Sequence, residues 1–96
     1  MLFVLICTDK AGAQDRRLAN RDAHLEFIKD LGDTIKLGGP MITEDGQGMT
    51  GSLLVLEADS RQAVEDIAAR DPYAKADLFE TVDIRPWKWT VGNPEA

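Results

Sequence analysis

The chain has 96 residues, 44% hydrophobic and 29% charged, which suits one folded domain and excludes a disordered polar chain. Its formal net charge is -6, with acidic and basic residues interspersed, so it does not read as a nucleic-acid binder, which would show a basic stripe. A single cysteine, Cys7, excludes an internal disulfide and suits a reducing, cytoplasmic setting.

The opening run Met1 to Cys7 lacks a basic leader and is too short to span a membrane, so Leu2 to Thr8 predicts a first strand. A polar turn containing Gly12 follows. Asp15 is a candidate N-cap for a helix to about Leu31, and Gly32 lies just beyond its last apolar position. Thr34 to Ile42 predicts a second strand, broken by Gly38-Gly39-Pro40. Asp45-Gly46 supplies hairpin chemistry before a third strand, Met49 to Ala58. Asp59-Ser60 caps a second helix, Arg61 to Arg70, which must stop near Asp71 because Pro72 follows. Leu78 to Trp89 predicts the fourth strand. The domain is expected to span residues 1–91, with residues 92–96 a flexible tail.

This order, βαββαβ, defines an α+β class of ferredoxin-like type: a four-stranded antiparallel sheet with two helices on one face. Strands one and three are apolar on both sides, with Leu2, Val4 and Ile6 alternating with Phe3, Leu5 and Cys7. Two helices cover only one face, and a large bare apolar patch is avoided by stable monomers. A homodimer through the open sheet face, making a dimeric α+β barrel, is the simplest solution. Phe3 and Leu5 are assigned to that open face.

Polar residues on the inner side of a helix are the informative ones. At about 100° per residue, Leu18, Leu25 and Ile28 set an apolar arc that also takes in Arg21, about 60° from Leu18. His24, the one histidine, lies roughly 20° from Leu31 and 40° from Ile28, so both polar residues lean towards the sheet. His24 is either a core histidine bonded to a backbone carbonyl or a general acid or base titrating near neutral pH. Asp71 is either an ordinary Asp-Pro turn residue or the hydrogen-bond partner that fixes the tautomer of His24. Cys7 reads as an inert strand thiol. No metal-ligand spacing is present, and Gly38-Gly39-Pro40 is no phosphate loop because no Lys-Ser or Lys-Thr follows. Trp87 and Trp89 share one strand face, where packing is the default role.

Several of these strings occur together in one known family. Arg21-Asp22-Ala23-His24-Leu25 resembles the Arg-x-x-His-Leu motif of YciI-like proteins, and Gly39-Pro40-Met41 resembles their Gly-Pro element. Gly51-Ser52, Asp71-Pro72-Tyr73 and Arg85-Pro86-Trp87 follow in the same order, so the resemblance runs from Leu2 to about Trp89. It implies a dimeric α+β barrel and an active-site pair of His24 and Asp71. It further implies that Arg21, Gly39, Pro40, Ser52 and Tyr73 shape an adjacent substrate cleft. The activity implied is cofactor-independent acid–base chemistry on a small hydroxylated aromatic or cyclic compound, since a relative removes chloride from a hydroxylated ring. A non-catalytic ligand-binding or assembly module is the alternative.

Overall fold

A computed structural model describes residues 1–95 of the chain. The elements are β1 (Leu2–Asp9), α1 (Gln14–Ala19), α2 (Arg21–Leu31), a 3-10 turn (Gly32–Thr34), β2 (Ile35–Ile42), β3 (Met49–Glu57), α3 (Arg61–Arg70), α4 (Pro72–Lys75) and β4 (Phe79–Trp87). The strands form one sheet in the order β2-β3-β1-β4, and every neighbouring pair is antiparallel. This is the ferredoxin-like α+β arrangement expected from the sequence.

Local chemistry accounts for the boundaries. Ser60 caps α3 by accepting a hydrogen bond from the Ala63 N–H at 3.1 Å. Gly46 closes the hairpin at φ 75°, a conformation that a residue without a Cβ adopts freely. The single long helix expected up to Leu31 is instead two, because the chain breaks at Asn20 (φ -109°, ψ 6°). Asn20 Nδ2 donates to the Arg16 carbonyl at 2.9 Å, a side-chain bond that competes with helix continuation. The expected break at Gly38-Gly39-Pro40 is absent: β2 runs through all three residues. Pro40 is tolerated since β2 is an edge strand. At Gly38 a Cβ would overlap the Leu54 side chain, so the glycine lets β2 lie close to β3. Residues 88–95 hold no helix or strand, and Ala96, the end of the expected tail, lies outside the described residues.

The core lies between the sheet and the helices. Phe3, Leu5 and Cys7 from β1, Leu54 and Leu56 from β3, and Ile84 from β4 form it, with Val64 of α3 at its centre. Ile28 of α2 and Ile67 of α3 pack against them. The assignment of Phe3 and Leu5 to the open face is therefore wrong. Alternation put the two sets of β1 side chains on opposite faces correctly, but nothing in the strand itself says which set meets the helices. The outer face carries Leu2, Val4 and Ile6, paired in register with Trp87, Val55 and Leu53. Leu37 and Trp87 on that face are 40% and 37% exposed.

Two outcomes follow from this packing. Leu5→Lys and Phe3→Lys each place a charge in the helix-covered core and should destabilise the fold by more than about 4 kcal/mol, read as a lost cooperative transition in circular dichroism. The second concerns Cys7, whose thiol burial pushes up to about 12, with the Asp71 charge adding to the effect. The folded state then holds a proton that the unfolded thiol, near 9.0, releases. Stability is fully present below about pH 9 and falls as pH rises towards 12, by about 1.4 kcal/mol per pH unit in that window. Cys7→Ala should flatten the alkaline loss seen by denaturant titration, and native Cys7 should resist iodoacetamide at pH 8.

Candidate active site

A cavity of about 140 Å³ opens where α1 and α2 meet the end of the sheet nearest β2. Its far side is strand backbone: Gly38, Gly39 and Pro40 of β2 and Ser52 of β3. A side chain at Gly38 would run into Leu54, so the glycine keeps β2 close to β3 along this wall. Leu25, Ile28 and Leu54 supply an apolar wall.

His24 enters from α2 and is 8% exposed. Its Nδ1 lies 2.8 Å from Asp71 Oδ1, in a buried contact between residues 47 apart in sequence. The same carboxylate oxygen accepts the Tyr73 N–H at 2.9 Å, which makes Asp71 the N-cap of α4. A carboxylate at the end of α3 meets the negative end of that helix, a small cost that is offset because Asp71 also begins the next helix. An ionised carboxylate only accepts, so Asp71 selects the His24 tautomer protonated at Nδ1. The Nε2 atom has no hydrogen-bond partner among the described residues, yet no buried side-chain nitrogen or oxygen among them is unpartnered. Nε2 is therefore the ring atom reached from the cavity that His24 lines.

The histidine ring is clamped on its face as well as at its edge. Tyr73, 1% exposed, stacks on it with centroids 4.0 Å apart and planes 13° from parallel. Phe79 meets the tyrosine edge-on at 6.1 Å. Burial raises the Tyr73 pKa, with the Arg17 charge opposing, so the phenol keeps its proton.

Sequence reasoning missed Arg17. It is 2% exposed, and its Nε and Nη2 donate to the two Asp9 carboxylate oxygens at 2.7 and 2.8 Å. Nη2 also donates to Ser52 Oγ at 3.0 Å, and the guanidinium carbon sits 4.6 Å from the Tyr73 ring centre. Burial works against the cation, but the Asp9 hydrogen bonds and charge outweigh it and raise the pKa. A signal did exist. Arg17 precedes His24 by seven residues, which is about 20° away on a helical wheel, and Leu18 wrongly set the arc. Leu18 is 52% exposed.

Of the expected site residues, His24, Arg21, Gly39, Pro40, Ser52 and Tyr73 all border the one cavity, with Asp71 directly behind the histidine. Arg21 differs from expectation: it is exposed at the rim and does not lean into the core. Cys7 is buried behind the site and does not line it. Among the described residues no group of three or more His, Cys, Asp or Glu side chains is placed to hold a metal ion. No helix among them is long and apolar enough to cross a membrane.

Comparison with known proteins places this geometry in a family. The YCII-related domain matches residues 1–88. Protein YciI of Escherichia coli O6:H1 is 37% identical over 95 residues, covering 92% of this chain and 97% of that protein. An uncharacterised protein of Haemophilus influenzae is 33% identical over the same coverage. Among solved structures, the chain is similar to 5-chloro-2-hydroxyhydroquinone dehydrochlorinase (TftG) of Burkholderia phenoliruptrix, in complex with 2,5-dihydroxybenzoquinone. The TM-score is 0.85 at 36% identity, covering 92% of this chain and 94% of that one. A domain matched over nearly its whole length, with relatives above 30% identity, makes this chain a member of the YCII-related, or YciI-like, family.

Proposed function

We propose that the chain is a cofactor-independent enzyme that acts on a small hydroxylated cyclic or aromatic compound by acid–base chemistry, as in an elimination or isomerisation. The observation that carries this reading is the buried His24–Asp71 pair with Nε2 turned to a cavity. In the neutral tautomer Nε2 is a base that takes a proton from the substrate, and Asp71 stabilises the imidazolium that forms. Arg21 at the rim draws in an anionic substrate, while Gly39, Pro40, Ser52 and Tyr73 shape the cleft. The volume, about 140 Å³, is close to the ~150 Å³ of a cavity known to accept benzene, so one ring is the fitting size. The name and ligand of TftG, a dehydrochlorinase seen with a dihydroxylated six-membered ring, support the same substrate class. A buried lone thiol supports a cytoplasmic location, and residues 1–91 are taken as the working domain.

The assembly proposed with it is a homodimer through the open sheet face. Leu2, Val4, Ile6, Leu53 and Leu37 give that face an apolar surface with no helix over it, and a second copy would close a dimeric barrel. The expected result for the wild type in light scattering is a dimer mass at micromolar concentration. Val4→Lys or Ile6→Lys should shift it to a folded monomer. A wild-type monomer sinks the assembly.

The dyad is tested by coupling. Asp71→Asn should lower chloride release while the domain stays folded, because the charged acceptor that holds the His24 ring at Nδ1 is gone. His24→Ala should lower chloride release from 5-chloro-2-hydroxyhydroquinone by about 10²- to 10⁴-fold while the domain stays folded. The double variant should be little worse than His24→Ala, as groups acting in one unit are not additive. Cys7→Ser should retain activity per folded molecule. A wild type that binds ring compounds and turns none over would return the protein to the ligand-binding reading.

A further inference from the structure

Two donors in the cavity wall are unspent. Of the N–H groups on Arg17, those on Nε and Nη2 are used on Asp9 and Ser52, while neither on Nη1 makes a hydrogen bond to a described residue. The guanidinium also lies over the Tyr73 ring, 4.6 Å from its centre, and the tyrosine helps to raise the Arg17 pKa. Ser52 is in the same position from the other side. Its Oγ accepts from Arg17, and its own proton goes to no acceptor among the described residues. Arg17 is 2% exposed and Ser52 4%, and both line the cavity. Groups so deeply placed are costly unless something bonds them. Arg17 Nη1 has no partner among the described residues, and no buried side-chain nitrogen or oxygen is left unpartnered among them, so Nη1 is reached from the cavity, which Ser52 also lines.

We infer that Arg17 Nη1 and the Ser52 hydroxyl form a two-donor subsite for one anionic oxygen of the ligand, a phenolate or enolate oxygen on a single ring; this rests on the acid–base reading of the site. Donors held in advance at a charged oxygen stabilise it strongly in a site that excludes water. Asp9 shapes what is held. It balances the Arg17 charge at 2.7 and 2.8 Å, so the pair is neutral before the ligand arrives and suits a single negative charge. Arg21, exposed at the rim, has no such fixed geometry and acts by long-range attraction. When His24 Nε2 removes a proton from a tetrahedral ring carbon next to a carbonyl, the C–H pair forms the C=C bond and the C=O π pair moves onto the oxygen held at this subsite, giving an enolate and a protonated histidine. Arg17 thus touches the atom on which charge develops, and Asp9 positions it.

The probe is 4-nitrophenol, with 4-nitroanisole as the matched ring that cannot ionise. The phenolate absorbs in the visible and the neutral phenol does not, so absorbance reads the ionisation state of the bound probe without turnover. Wild-type protein should lower the apparent pKa of bound 4-nitrophenol by about one unit, a tenfold preference for the anion. Ser52→Ala should weaken phenolate binding by about tenfold and leave 4-nitroanisole binding unchanged. Asp9→Asn combined with Arg17→Gln keeps the buried pair uncharged and should abolish the preference. His24→Ala should retain it, which separates this subsite from binding to the histidine. The assignment is overturned if wild type fails to bind 4-nitrophenol at millimolar concentration, or if it prefers the neutral ring. It is also overturned if the preference survives Ser52→Ala or disappears in His24→Ala. If the double variant does not fold, Ser52→Ala decides alone. Absent chloride release with an intact phenolate preference would fault the acid–base reading and leave this subsite standing.

Discussion

The Asp71 carboxylate joins two parts of the chain that sequence distance keeps apart. One of its oxygens accepts the Tyr73 N–H and is in contact with His24 Nδ1, so the same atom starts α4 and anchors α2 against it. The constraint begins with Pro72, which ends α3 and frees the carboxylate to cap the next turn. Tyr73 then leaves α4 in the one direction that puts its ring against His24 at 4.0 Å. Edge and face of the imidazole are both fixed by residues within a single tight turn. A catalytic base needs such fixing, because its lone pair must meet the substrate within a narrow range of geometry.

A second buried pair, Asp9 with Arg17, stands beside the first and borders the same tyrosine. Burying two acid–base pairs in so small a domain is not a route to stability, since desolvation consumes most of the attraction. Hydrophobic residues of similar volume would serve the fold at least as well. Their presence together around one cavity is better explained by what they present to it: a lone pair from His24 and hydrogen-bond donors from Arg17 and Ser52. The Arg17–Asp9 pair keeps its charge separation because both carboxylate oxygens are engaged, and this is what holds a guanidinium charged at 2% exposure.

Much of the fold was legible in the sequence. Alternation in β1 and β3, Asp45-Gly46 at the hairpin and Ser60 before α3 all act through neighbours in sequence, and each expectation matches the structure. What could not be read depended on tertiary contacts. Phe3 and Leu2 are equally apolar, so only the packing of α3 against β1 reveals that Phe3 is inside. Arg17 was missed because Leu18, which is 52% exposed, was allowed to set the apolar arc, although a wheel puts Arg17 within about 20° of His24. Gly38-Gly39-Pro40 looked like a break because those residues weaken an isolated strand; an edge position beside Leu54 favours them. His24 was visible as a polar residue on an inner face, yet residue types alone left its role open. Only the 2.8 Å contact across 47 residues distinguishes a paired histidine from one bonded to backbone.

The position of the cavity also explains why the domain leaves one sheet face bare. Helices on the inner face must do two things at once, covering the apolar side of β1 and β3 and holding polar groups around the site. The division is visible along the sheet: Val64 of α3 sits over Phe3, Leu5 and Leu56, while α1 and α2 close over Ser52 and the glycines of β2. The inner face therefore gives part of its area to a cavity and charged pairs, and a domain of 96 residues has little other core to compensate. The outer face, with Val4, Ile6 and Leu53 beside the Arg85–Asp83 pair of β4, holds the apolar area not yet used. In the proposed dimer that area becomes a second core, so the stability lost to the site on one side of the sheet is offset by burial on the other. In that proposal site and assembly share the same four strands, whose alternating residues face the cavity on one side and the second copy on the other.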